Sequence, residues 1–133
     1  MEGHELTALI IEDDYAGYYY LKEVLRLSGI KSVWVNNAVD GFVYCLKNNE
    51  PDIVFMDIKL PGISGLDGSH LIKKYRPSIP VIAETAFIRD YDKDICFRSG
   101  CDAYLGKPIS SSRLMDTVNN ILKKRYHKIQ NVT

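Results

Sequence analysis

Five short apolar runs alternate along this chain with five longer segments of helical periodicity, and that alternation restricts the fold more than any other feature. The runs fall at residues 6–11, 31–35, 53–56, 81–85 and 103–105. Most read as continuous apolar stretches rather than apolar at every second residue, which suits strands covered on both faces. The helical segments fall at 15–28, 37–48, 64–75, 90–99 and 110–124. Gly29 stands where a C-cap glycine ends the first, and Ser110 or Ser111 can cap the last. Gly65 and Gly68 weaken the third. Strands that alternate with helices pair in parallel through right-handed crossovers, with helices on both faces of the sheet. The expected fold is therefore α/β, a doubly wound, five-stranded parallel sheet with five helices. One domain over 1–133 is expected, since a chain of 133 residues holds a single core. Its core lies at about 6–124 and a polar, loose tail at 125–133.

The strand ends carry the chemistry. The first run stops at Glu12-Asp13-Asp14. The third, Ile53-Val54-Phe55-Met56, leads straight into Asp57, and the Pro61-Gly62 turn follows. The fourth ends in Thr85, and the fifth leads into Lys107-Pro108. In a parallel sheet these ends share one edge, where α/β folds place their functional crevice. Carboxylates crowded there repel one another unless a cation sits among them, and hard oxygen donors favour Mg2+. The first strand–helix turn lacks the glycines that cradle a polyphosphate; it is acidic. Asp14 also suits the N-cap of the first helix. With a cation, a hydroxyl and an ammonium around it, Asp57 can serve as an oxygen nucleophile towards phosphorus. Phosphoryl transfer needs positioning and charge neutralisation more than acid–base groups. No histidine is needed, and His4, His70 and His127 fall in a terminus, a helix and the tail.

Four pieces in this order, Ile-Ile-Glu12-Asp13-Asp14, Phe-Met-Asp57-Ile-Lys-Leu-Pro61-Gly, Val-Ile-Ala-Glu-Thr85-Ala and Ala-Tyr104-Leu-Gly-Lys107-Pro108, resemble the receiver domain of two-component response regulators. The resemblance spans nearly the whole chain. It implies a flavodoxin-like sheet of strand order 2-1-3-4-5. It implies Asp57 as phosphoacceptor, with Thr85 and Lys107 completing the reaction site. Mg2+ would be held by the side chains of Asp13 and Asp57, by the backbone carbonyl of Lys59, and by Glu12 through water. Thr85 and Tyr104 would form the switch, and the Lys107–Pro108 bond would be cis. The implied partner is a histidine kinase or a histidine phosphotransfer protein, with a homodimer left open. Two short stretches, Leu21 to Leu25 and Arg98 to Leu105, look most like receivers attached to hybrid sensor kinases.

Two departures from the family pattern stand out. Glu84 occupies a usually apolar position beside Thr85, adding a negative charge that needs a partner. Lys59 and Phe87 sit where the family tunes phosphoryl lifetime, and a bulky Phe87 is expected to lengthen it. The Tyr18-Tyr19-Tyr20 run cannot face one way on a helix, so at least one ring is exposed, and part of this helix is read as a docking surface.

Other classes fit less well. Lysine plus arginine equals aspartate plus glutamate at 17, so no electrostatic argument favours nucleic acid or an anionic membrane, and no apolar run spans a bilayer. Three cysteines with no Cys-x-x-Cys pair suit a reducing compartment. The expected location is cytoplasmic, or the cytosolic part of a membrane-bound sensor kinase. A never-phosphorylated pseudo-receiver conflicts with the presence of Asp13, Asp57, Thr85 and Lys107. A Mg2+-dependent aspartyl-phosphate phosphatase would want an acid where Lys59 stands.

Overall fold

The computed structural model describes residues 5–47, 50–86 and 90–132, except the side chains of 90, 91 and 126–132. The elements in chain order are β1 (Thr7–Ile11), α1 (Tyr15–Leu27), β2 (Lys31–Val35), α2 (Ala38–Leu46), β3 (Ile53–Asp57), α3 (Gly65–Tyr75), β4 (Val81–Thr85), α4 (Asp90–Arg98), β5 (Ala103–Gly106) and α5 (Ser111–Val132). All strand pairs are parallel, in the order β2-β1-β3-β4-β5. The expected α/β fold and its strand order are both present.

Side-chain alternation along the strands builds two apolar layers. Leu9, Ile11, Val54, Met56, Val81 and Ala83 face one side, where Ala38 and Cys45 of α2, Ile72 of α3 and Cys96 of α4 cover them. Ala8, Ile10, Ile53, Phe55, Ile82 and Leu105 face the other, under Leu21 and Leu25 of α1 and Leu114 and Val118 of α5. Both faces of β1, β3 and β4 are therefore buried, which accounts for the apolar residues that dominate them. The cysteines are free and buried. Burial pushes the Cys45 thiol up to about 12 and Cys101 up to about 11, so both are packing groups.

Local chemistry sets the helix ends. Asp14 caps α1, its side chain accepting from Gly17 N–H at 3.1 Å, and Asn37 and Ser64 cap α2 and α3 in the same way. Ser110 Oγ accepts from Arg113 N–H at 3.2 Å and caps α5. Gly29, at φ 78°, closes α1: its own N–H donates to Arg26 O and that of Ile30 to Leu25 O, both at 3.0 Å. One expectation fails. Where a loose tail is expected from 125 onward, α5 continues as helix to Val132. No glycine or proline follows Pro108, so nothing in the sequence stops the helix. Arg125 anchors it to the N-terminal edge of the sheet, its Nη1 donating to Asp52 O at 2.5 Å.

Gly65 opens α3 directly against the exit of β3. Its N–H donates to Ile58 O at 2.9 Å, and a Cβ there would sit 2.0 Å from Asp57 O and 2.7 Å from Ile58 Cα. Neither contact is with a flexible side chain, so the backbone that carries Asp57 would have to move. Gly65→Ala is expected to cost about 2–3 kcal/mol, despite alanine's better helix propensity. Urea unfolding at neutral pH measures this, and an unchanged midpoint would contradict it.

Candidate functional site

The parallel sheet brings the tips of β1, β3, β4 and β5 together, and one open cleft lies over them. Glu12, Asp13, Asp57, Lys59, Thr85 and Lys107 line it. Asp57, the last residue of β3, is 5% exposed. Its Oδ1 accepts from the Lys59 N–H at 3.1 Å, and its Oδ2 lies 3.3 Å from Lys107 Nζ. The same ammonium is 3.5 Å from Glu12 Oε2. Lys107 is joined to β4 by its backbone, N–H to Thr85 O at 2.8 Å, and the Lys107–Pro108 bond is cis.

Carboxylate oxygens of Glu12, Asp13 and Asp57 all lie within 4.8 Å of one another. This hard-oxygen set, open to solvent at the exposed Asp13, fits a divalent cation. The electrostatics are those of an over-filled acidic site. Burial pushes the Glu12 carboxyl up to about 7, its hydrogen bond to Asp57 and the Asp57 charge add to that, and Lys107 pulls it back. Burial works against the Lys107 ammonium, yet Asp57, Glu12 and Glu84 outweigh it and hold the lysine above its ordinary value.

For three residues the structure supplies a placement that the sequence does not. Tyr104 does not line the cleft. It is half-buried against the α2–α4 layer, with the Phe97 ring edge-on at 5.8 Å and Lys93 Nζ 5.3 Å from its centroid. Glu84 points inward on the α1–α5 side, 1% exposed, where the sequence signals only a charge in an apolar run. Trp34 on β2 reaches the acidic turn, its Nε1 donating to Glu12 O at 2.7 Å. No motif marks that contact, because it joins residues 22 apart across the sheet edge. Phe87, expected to lengthen phosphoryl lifetime, lies outside the described residues. Of the tyrosine run, Tyr19 and Tyr20 are exposed and Tyr18 is half-buried.

Residues 8–119 match the family model of the response regulator receiver domain. The chain belongs to that family. It is a receiver domain of two-component signalling. The polar-differentiation response regulator DivK of Brucella anthropi is 31% identical over 118 residues, which cover 87% of this chain and 95% of the relative. The Brucella ovis DivK is 30% identical over the same length. Among solved structures, a two-component response regulator from Clostridium difficile is 26% identical with a TM-score of 0.82, covering 89% of this receiver and 96% of that chain. A CheY-like receiver domain protein from Methanospirillum hungatei shares the fold, with a TM-score of 0.86 at 24% identity over 94% and 99% of the two chains. No helix among the described residues is long and apolar enough to cross a membrane.

Proposed function

We propose that this receiver accepts a phosphoryl group on Asp57 and that the cleft around it is the reaction site. The observation that carries the reading is the surroundings of that carboxylate: two further acids within 4.8 Å and an ammonium at 3.3 Å. An Asp57 oxygen forms a bond to phosphorus as the phosphorus–nitrogen bond of a phosphohistidine breaks, and the imidazole leaves with the electron pair. Glu12, Asp13, Asp57 and the Lys59 carbonyl would hold Mg2+. When bound, that ion supplies positive charge to the phosphoryl oxygens. Lys107 pairs with the transferred group in place of part of its present contact with Asp57. Thr85, 7% exposed at the end of β4, donates its hydroxyl to the same group. Its inward pull leaves room for Tyr104 to turn, which remodels the surface of β4, α4 and β5 as a population shift.

The donor is a histidine kinase or a histidine phosphotransfer protein, and the domain works in the cytoplasm or on the cytosolic side of a sensor kinase. Direct contact with nucleic acid or membrane is no part of the reading. Incubation with acetyl phosphate and Mg2+, followed by intact-mass measurement, tests it. One phosphoryl adduct is expected with Mg2+ and none with excess EDTA. No adduct, or one that forms equally in EDTA, would overturn it.

A further inference from the structure

The edge strand β2 contributes nothing to the cleft, yet it grips the turn that does. Glu12 N–H donates to Val35 O at 3.1 Å, and Glu12 O accepts the Trp34 indole N–H at 2.7 Å. Both backbone polar groups of Glu12 are thus held by β2. The Trp34 ring is itself fixed. It stacks on Tyr18 with centroids 4.5 Å apart and planes 6° from parallel, and Tyr15 meets it edge-on at 5.7 Å. These tyrosines belong to the first turns of α1, so a single aromatic cluster locks the β1–α1 turn from outside. Asp13 is exposed, so packing does little to place its carboxylate. Its direction follows from the main chain, and the peptide that joins Glu12 to Asp13 is the one the indole holds.

We infer that Trp34 is a positioning residue for the cation-binding turn, acting through its indole hydrogen bond to the Glu12 carbonyl. The inference rests on the reading of Glu12, Asp13 and Asp57 as the Mg2+ site. Groups that orient the ligands of a metal carry much of its affinity without touching it. Trp34 is the chain's one tryptophan, so biosynthetic replacement by 3-benzothienylalanine changes this position alone and swaps the N–H for sulfur with the bicyclic shape kept. Trp34→Phe is a second, coarser variant. Val33→Ala is the control, because Val33 lies on the same strand and packs against the opposite layer, away from Glu12.

Titration calorimetry with magnesium chloride at pH 7.5 reads the affinity, and thermal unfolding in EDTA reads stability. The benzothienyl protein and Trp34→Phe should bind Mg2+ about 3- to 10-fold more weakly than the unmodified receiver. Val33→Ala should melt lower yet keep its Mg2+ affinity within about twofold. Equal Mg2+ affinity in the unmodified and benzothienyl proteins would overturn the positioning role while leaving the metal site standing. Equal weakening in Val33→Ala would overturn it as well, since a general loosening of β2 would then suffice. Absence of Mg2+ binding in the unmodified receiver would remove the metal site and this inference together.

Discussion

Asp57→Asn is expected to leave no phosphoryl adduct after acetyl phosphate and Mg2+, and to unfold at a higher temperature than the parent when metal is absent at pH 8. The first effect follows from chemistry: an amide oxygen is no nucleophile towards phosphorus, and no other acid of the cleft has the Lys59 N–H and the Lys107 ammonium on its two oxygens. The second follows from what Asp57 does to its neighbours. Its charge helps push both Glu12 and Glu84 above the ordinary carboxylate range, so in metal-free protein it is a source of repulsion. Asparagine retains an oxygen to accept from Lys59 N–H. Lys107 loses one contact but keeps Glu12 at 3.5 Å, and at one-third exposure it gains little from the lost pair. Relief of repulsion therefore wins, by roughly 1 kcal/mol. Intact-mass measurement and scanning calorimetry in EDTA check the two halves. An adduct that survives the substitution would move the phosphoacceptor elsewhere, and a lower melting temperature would show that the lysine pair outweighs the crowding.

The same crowding explains which parts of the molecule can be read from its residues. Continuous apolar runs such as Ile53 to Met56 and Val81 to Ala83 signal strands covered on both sides, and capping residues such as Asp14 and Ser64 mark helix starts within a residue or two. The convergence of Asp13, Asp57, Thr85 and Lys107 is legible because parallel strands leave their ends no other place to go. The strand order is not. Apolar runs of similar composition do not say which neighbours which, so the resemblance rather than the pattern supplied it. The end of α5 is misread because polarity alone argues for a loose tail, whereas 109–132 contain no glycine or proline to disfavour a helix. The burial of Glu84 and the hold of Trp34 on Glu12 depend on what lies across the sheet, and no local window contains that information. Tyr104 is named by its motif, but its contacts with Phe97 and Lys93 come from α4.

Glu84 makes the largest stability prediction. Its carboxyl is 1% exposed, and Oε2 has no hydrogen-bond partner among the described residues. Burial pushes the group up to about 8, Glu12 and Asp57 push the same way, and Lys107 pulls back. In the unfolded chain the same acid titrates near 4.5. Below that value both states hold the proton, and the group has no effect on the pH dependence of stability. Between 4.5 and about 8 the unfolded chain releases the proton while the folded one retains it, so stability falls as pH rises. Above about 8 both are ionised and the full penalty is present. A rise of three to four pH units corresponds to about 4–5 kcal/mol. Glu84→Gln keeps the shape and cannot ionise. Its packing cost is the same at every pH and cancels when its stability relative to the parent is compared between pH 4.5 and pH 9. That relative stability should therefore move in favour of the variant by about 3–5 kcal/mol across the range. Urea unfolding in EDTA at pH 4.5, 7 and 9 measures it. Parallel curves for the two proteins would mean that Glu84 finds a cationic or hydrogen-bonding partner strong enough to ionise it in the fold, and the acidic floor beneath the cleft would then be charged.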